Sequence, residues 1–139
     1  LPWLTGMGSC TATSMAALMR AFVHDPAMFG DELDVIAAAR LPRAIRDDVR
    51  RSHLATFDMS AGPPVRFEPE QLATLDLPGL VVHGRDDRLI PYQAALYFLE
   101  HLPDADLHVF ARCGHWTQIE HPDRFHATLS AFLTTRSNP

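Results

Sequence analysis

The stretch "LPGLVVHG", residues 77–84, constrains the fold most, because it is a continuous apolar run bounded by turn-forming residues. Runs of this kind are typical of a strand buried on both faces of a parallel sheet. The pattern of the next residues, "YQAALYFLEHLP", predicts a helix, and "ADLHVFA", residues 105–111, predicts a second strand. A last helix is expected over "HPDRFHATLSAFL". The order strand, helix, strand, helix predicts a right-handed crossover and an α/β fold, with a parallel sheet flanked by helices.

The residues before this run have a different character. Residues 10–62 carry apolar side chains at helical spacing and show no strand pattern. Ser14 is expected to cap the first helix, and Asp31 a later helix that ends before Pro42. The chain is therefore expected to hold three segments: the end of a core strand over residues 1–9, a helical segment over 10–70, and the sheet-bearing core over 71–139.

Composition limits the classes of function. The chain has 139 residues, is 47% hydrophobic and carries a formal net charge of −5. This charge argues against a nucleic-acid partner, which would require a basic face. No apolar run reaches the roughly 18 residues of a membrane span, so no membrane partner is expected. Cys10 and Cys113 are too few for a disulfide framework, which favours a cytoplasmic location. The eight histidines lack the spacing of a metal site, so no metal is predicted.

Candidate catalytic side chains lie on the two loops that follow the predicted strands. Asp86 and Asp87 follow the first strand, and His115 follows the second strand on a glycine turn. Functional residues of α/β folds gather at the carboxyl ends of the strands. An acid and a histidine placed there can form the acid–base half of a catalytic triad, since the ordinary pKa of histidine is about 6.5. For Asp86, a solvated position beside an arginine is the preferred interpretation.

The pattern Gly84-x-x-Asp87-x-x-x-Pro91, followed by Gly114-His115, resembles the C-terminal part of the α/β-hydrolase fold. More narrowly, "GRDDRLIP" with "LHVFARCGHWTQIEHPDRF" is similar to the meta-cleavage product hydrolases, which cut a carbon–carbon bond in 2-hydroxy-6-oxo-dienoates from aromatic ring fission. The resemblance implies a serine-type hydrolase of aromatic compound degradation, with a small-molecule substrate and no cofactor. It also implies that the helical segment over 10–70 is the lid of such an enzyme.

Carried over position by position, the resemblance makes Asp87 the triad acid and His115 the triad base. Trp116 and Cys113 fall where the family lines its substrate pocket, and packing roles remain open for both. In the family, an arginine of the lid holds the substrate carboxylate; at the matching position this chain has Ala37. Arg40, one helical turn later, is expected to substitute for it.

One departure from the family is the nucleophile. The Gly-x-Ser-x-Gly elbow is absent, and the nearest sequence, "GMGSC", does not have the pattern of a strand-to-helix turn. The nucleophilic serine is therefore expected on a missing N-terminal half, with this chain a fragment that supplies Asp87 and His115. Two alternatives stay open: a carboxylesterase or lactonase on the same fold, and a non-catalytic fragment. The resemblance leaves open whether the protein forms a homo-oligomer.

Overall fold

The structure, a computed structural model, describes residues 10–56 and 67–136. These residues form two compact units, one from residues 10–21 and 26–56 and the other from residues 22–25 and 67–136. The strand end predicted over residues 1–9 lies outside the described residues. Within the two described ranges, no helix combines the length and the apolar character needed to cross a membrane.

The first unit is helical, and its described residues contain no strand. The apolar residues that it buries recur four residues apart, Met15 and Met19 on the first helix and Leu33 and Ala37 on the second, which is the spacing of one helix face. An exposed ion pair at 2.6 Å joins Arg20 to Asp34. The elements are α1 (Ala12–Phe22, whose last residue belongs to the second unit), a 3₁₀ turn (Pro26–Phe29), α2 (Glu32–Ala44) and α3 (Asp47–Thr56).

Two helix boundaries differ from the prediction. The cap of α1 is Thr11, not Ser14: the Thr11 hydroxyl oxygen accepts the Ser14 N–H at 3.1 Å, and the Ser14 hydroxyl oxygen accepts the Thr11 N–H at 2.9 Å. This reciprocal pair supplies partners to free N–H groups at the helix start. The expected end of α2 before Pro42 is also wrong. Pro42 lies inside the helix although it lacks an N–H donor, and beyond it the Ile45 N–H bonds to the Leu41 carbonyl at 3.1 Å.

The second unit contains the predicted α/β arrangement, which confirms the fold class. Two strands pair in parallel, with Gly79 opposite Ala105 and Gly84 opposite Phe110. The strand residues before Gly84 are only half-buried among the described residues, so the full burial on both faces predicted from the apolar run is not observed. The elements are α4 (Pro69–Leu72), β1 (Gly79–Gly84), α5 (Gln93–His101), β2 (Ala105–Phe110), α6 (Thr117–Glu120) and α7 (Pro122–Arg136).

The core of the second unit lies at the carboxyl ends of the two strands. Phe110, the last residue of β2, is fully buried, and the Arg124 guanidinium lies 4.1 Å from its ring centroid. Burying one phenylalanine side chain contributes about 2–3 kcal/mol. Val23, Ala95 and Cys113 are also buried. This packing fixes the ends of β1 and β2, so the loops that follow the strands lie side by side.

Candidate active site

The first of these loops holds the Asp87 carboxylate through its own backbone. The Asp87 Oδ1 atom accepts the N–H groups of Leu89 at 2.8 Å and Ile90 at 3.1 Å. The Asp87 N–H donates to the Gly84 carbonyl at 3.3 Å. The Asp87 side chain is only 3% exposed. A buried carboxylate with these donors on one oxygen keeps a fixed orientation, and its other oxygen is available to a second partner.

The second loop turns sharply after β2. Arg112 adopts a positive φ of 55°, a left-handed conformation that is uncommon for a residue with a side chain. Gly114 and Gly84 then bring the two loops into direct contact. A Cβ atom on Gly84 would overlap the Gly114 carbonyl, and one on Gly114 would lie 2.6 Å from the Phe22 carbonyl oxygen. Glycine is therefore required at both positions by close backbone approach.

Asp87 and His115 meet where the two loops touch. The Asp87 Oδ2 atom lies 2.8 Å from His115 Nδ1. Because a carboxylate only accepts hydrogen bonds, Nδ1 carries the proton and Nε2 is left with a lone pair. The His115 ring is 32% exposed, so this nitrogen can serve as a general base for a group that approaches it. Asp87 and His115 are the pair predicted from the sequence, and the fold places their side chains in contact.

The charge of Asp87 is maintained by its hydrogen bonds. Burial alone would raise the pKa of Asp87, but the hydrogen bond from His115 and those from Leu89 and Ile90 outweigh it, and the net pKa lies below the ordinary value. An ionised carboxylate stabilises an imidazolium formed on His115. The contact between an ionised carboxylate and an imidazole is the arrangement that acid–base catalysis requires.

Sequence reasoning missed a second imidazole beside this pair. His83 has Nδ1 at 2.9 Å from the Gly84 carbonyl and Nε2 at 3.8 Å from Asp87 Oδ2. Its side chain is 14% exposed. The available signal was its place one residue before the end of β1 and four residues before Asp87. His83 adds a second titratable group next to the Asp87 carboxylate.

Asp86, the neighbouring acid, lies apart from His115 and makes different contacts. Its side chain is 31% exposed and lies 3.5 Å from the Arg85 guanidinium and 3.5 Å from the His24 ring. Burial would raise the pKa of Asp86, but Arg85 and His24 bring it below its ordinary value. The expected arginine neighbour is present, and Asp87 is the acid that contacts His115.

The three residues expected to bind substrate are in different surroundings. Trp116 is buried, with its ring edge-on to Phe22 at 4.8 Å between centroids. Cys113 is fully buried, and burial together with the Glu120 carboxylate raises its pKa to about 12. Arg40 is exposed on α2, in the first unit. Cys113 and Trp116 lie within two residues of His115 in the chain, and both are buried in the second unit.

Comparison with known proteins gives the class to which this fold and site belong. Residues 54–122 match the family model described as the alpha/beta hydrolase fold. Among curated proteins, 2-hydroxymuconate semialdehyde hydrolase of Pseudomonas putida is 41% identical over 127 residues, covering 86% of this chain and 43% of the relative. A 2-hydroxy-6-oxononadienedioate/2-hydroxy-6-oxononatrienedioate hydrolase of Dechloromonas aromatica is 39% identical, with 89% and 42% covered. The chain thus spans less than half the length of these relatives.

Solved structures give the same result. The 2-hydroxy-6-oxo-6-phenylhexa-2,4-dienoate hydrolase of a Rhodococcus strain matches with a TM-score of 0.76 at 31% identity, covering 91% of this chain and 46% of that chain. A meta-cleavage product hydrolase of Pseudomonas fluorescens matches with a TM-score of 0.78 at 30% identity and the same coverage. The chain therefore has the α/β-hydrolase fold and corresponds to a C-terminal portion of it. Within that fold it resembles the meta-cleavage product hydrolases, as the motifs around Asp87 and His115 indicated.

Proposed function

We propose that the protein is a serine-type hydrolase that cleaves the carbon–carbon bond of a 2-hydroxy-6-oxo-dienoate produced by aromatic ring fission. The observation that carries the proposal is the 2.8 Å contact between Asp87 Oδ2 and His115 Nδ1, which leaves His115 Nε2 as a base. The similarity to dienoate hydrolases across 86–91% of the chain supports the choice of substrate class.

In the proposed mechanism, the nucleophilic serine comes from a segment outside these 139 residues. His115 Nε2 takes the serine proton while Asp87 holds the imidazole and stabilises its positive charge. The dienol substrate is ketonised, the serine oxygen adds to the 6-oxo carbon, and the carbon–carbon bond breaks as His115 passes its proton to the departing 2-hydroxypentadienoate. Water, deprotonated by His115, then hydrolyses the acyl-serine, which gives the carboxylic acid and frees the serine. These steps use side chains and water alone, so the proposal includes neither a metal nor an organic cofactor.

The other expected site residues take their proposed roles from the resemblance. We propose that Trp116 and Cys113 form part of the wall of the substrate site, and that Arg40 binds the substrate carboxylate. In the same proposal, residues 10–70 correspond to the lid and residues 71–139 to the catalytic core. The free thiols of Cys10 and Cys113 fit a reducing compartment, and we infer a cytoplasmic enzyme acting on a small molecule.

The test is a substrate comparison with the full-length protein that carries these residues. Ring-fission dienoates are yellow, so cleavage is followed as bleaching, and a p-nitrophenyl ester serves as the matched ester substrate. We expect kcat/KM for the dienoate to exceed that for the ester. Ester hydrolysis without bleaching would replace the proposal with a carboxylesterase on the same fold. Absence of both activities in a folded protein would contradict a hydrolase.

A further inference from the structure

Three consecutive residues, 22–24, contact both loops of the candidate active site. The Phe22 carbonyl accepts the His115 N–H at 2.6 Å. The His24 carbonyl accepts a hydrogen bond from Arg88, on the Asp87 loop, at 3.2 Å. The His24 N–H donates to Glu120, beyond the His115 loop, at 2.6 Å. The 22–24 segment is therefore a common attachment point for the two loops.

Glu120 makes the strongest of these attachments, because its two carboxylate oxygens hold two different backbone groups. Oε2 accepts the His24 N–H at 2.6 Å, and Oε1 accepts the Gly114 N–H at 2.7 Å. The Cys113 thiol also lies 3.8 Å from Oε1. Hydrogen bonds to an ionised acceptor are about twice as strong as neutral ones. One side chain thus connects the residue before His115 to the 22–24 segment.

This connection fixes the backbone from which the His115 ring projects. The N–H of Gly114 is held by Glu120, and the next N–H, that of His115, is held by Phe22. A Cβ atom on Gly114 would lie 2.6 Å from the Phe22 carbonyl oxygen, so only glycine allows the loop to approach the segment this closely. Because the loop is held in one conformation, the ring keeps its 2.8 Å contact with Asp87.

We propose that Glu120 is a positioning residue for His115, acting through the Gly114 and His24 amides rather than through contact with substrate. Its catalytic consequence rests on the proposed function; its structural consequence, the orientation and tautomer of the His115 ring, does not. Loss of one attachment should release the loop, and a misplacement of about 1 Å at a catalytic group can cost about 100-fold in rate. The effect should fall on kcat, with KM little changed, because Glu120 does not bind substrate.

The matched variants are Glu120→Gln and Glu100→Gln in the full-length protein. Glutamine keeps the shape of Glu120 but has one acceptor oxygen, so its NH₂ group opposes one of the two amide donors. Glu100 is exposed on α5, so E100Q makes the same chemical change away from the loops. If E120Q does not fold, Glu120→Asp replaces it, because aspartate keeps the charge but is too short to reach both amides.

The first readout is the ¹⁵N spectrum of the His115 ring, which reports the tautomer with or without catalytic activity. We expect the Nδ1–H form in the wild type and in E100Q, and a shift toward the Nε2–H form in E120Q. The second readout is kcat, expected to fall about 10- to 100-fold in E120Q alone. A His115 tautomer in E120Q that matches the wild type would overturn the proposal. An inactive wild type whose tautomer still shifts in E120Q would sink the proposed function and leave the positioning role intact.

Discussion

Replacing Asp87 by asparagine should remove most of the activity while leaving the fold in place. The amide oxygen of the new side chain can still accept the N–H groups of Leu89 and Ile90, which now bond to Asp87 Oδ1 at 2.8 and 3.1 Å. The NH₂ group of that amide would then face His115 Nδ1, which lies 2.8 Å from Asp87 Oδ2. Two donors cannot share one hydrogen bond, so His115 would adopt the Nε2–H tautomer and lose the lone pair on Nε2 that serves as the base.

The expected loss follows from the role of the carboxylate. An acid-to-amide change at this position of a Ser-His-Asp triad lowers kcat by about 10⁴, which corresponds to about 5 kcal/mol of transition-state stabilisation. The matched control is Asp86→Asn, which makes the same change at a carboxylate 3.5 Å from Arg85 and His24. We expect this control to retain kcat within about fivefold, since salt bridges of half-exposed groups contribute about 1 kcal/mol or less.

The assay is the initial rate of dienoate bleaching by the full-length protein, with circular dichroism to verify that each variant is folded. A D87N variant that keeps a tenth of the wild-type kcat would refute the assignment of Asp87 as the acid. Equal losses in D87N and D86N would refute the distinction between the two neighbours and point to a general effect of charge in the loop.

Three further predictions concern reactivity, packing and pH. The pKa of the Cys113 thiol is raised from 9.0 to about 12, which implies a roughly 1000-fold smaller thiolate fraction. A thiol reagent at pH 8 should therefore label Cys10 and leave Cys113 intact in the native protein. Equal labelling of the two cysteines would contradict the burial of Cys113. Gly114→Ala should lower the free energy of unfolding, measured by urea titration, by about 3 kcal/mol. In Gly79→Ala the new Cβ has neighbours at an ordinary 3.6 Å, so the free energy of unfolding should fall by about 1 kcal/mol or less. Similar losses in the two variants would argue against the close approach at Gly114. The lowered pKa of Asp87 stabilises the folded state above the ordinary carboxyl pKa of about 3.9. This contribution to stability should disappear as the pH falls below about 4. The stability of D87N should therefore decrease less with falling pH than the stability of the wild type.

The sequence was most informative where local chemistry and chain geometry agree. The apolar run before Gly84 and the second run before Phe110 predicted two parallel strands, and both are present. Because carboxyl ends of parallel strands share one edge, the loops that carry Asp87 and His115 could be placed together from the order of elements alone.

Contacts between distant residues could not be read from local patterns. Nothing in the local pattern around Glu120 indicated its partner His24, which lies 96 positions away in the chain. The contact of His83 with Asp87 depends on the direction in which the strand end presents a side chain. The sequence pattern also predicted an end of α2 before Pro42, whereas the helix continues through it. The local pattern shows the hydrogen bond that Pro42 cannot make but not the bonds that later residues of the helix keep.

The central claim, that His115 is the catalytic base of a dienoate hydrolase, is tested most directly by one comparison. The measurement is kcat for bleaching of a ring-fission dienoate by the full-length protein, with the wild type beside His115→Gln. We predict turnover by the wild type and a loss of at least about 10⁴-fold in the variant, because no other side chain described on the two loops has the same contact with Asp87. A folded wild type that does not bleach the dienoate, or a variant that bleaches it at a comparable rate, would contradict the claim.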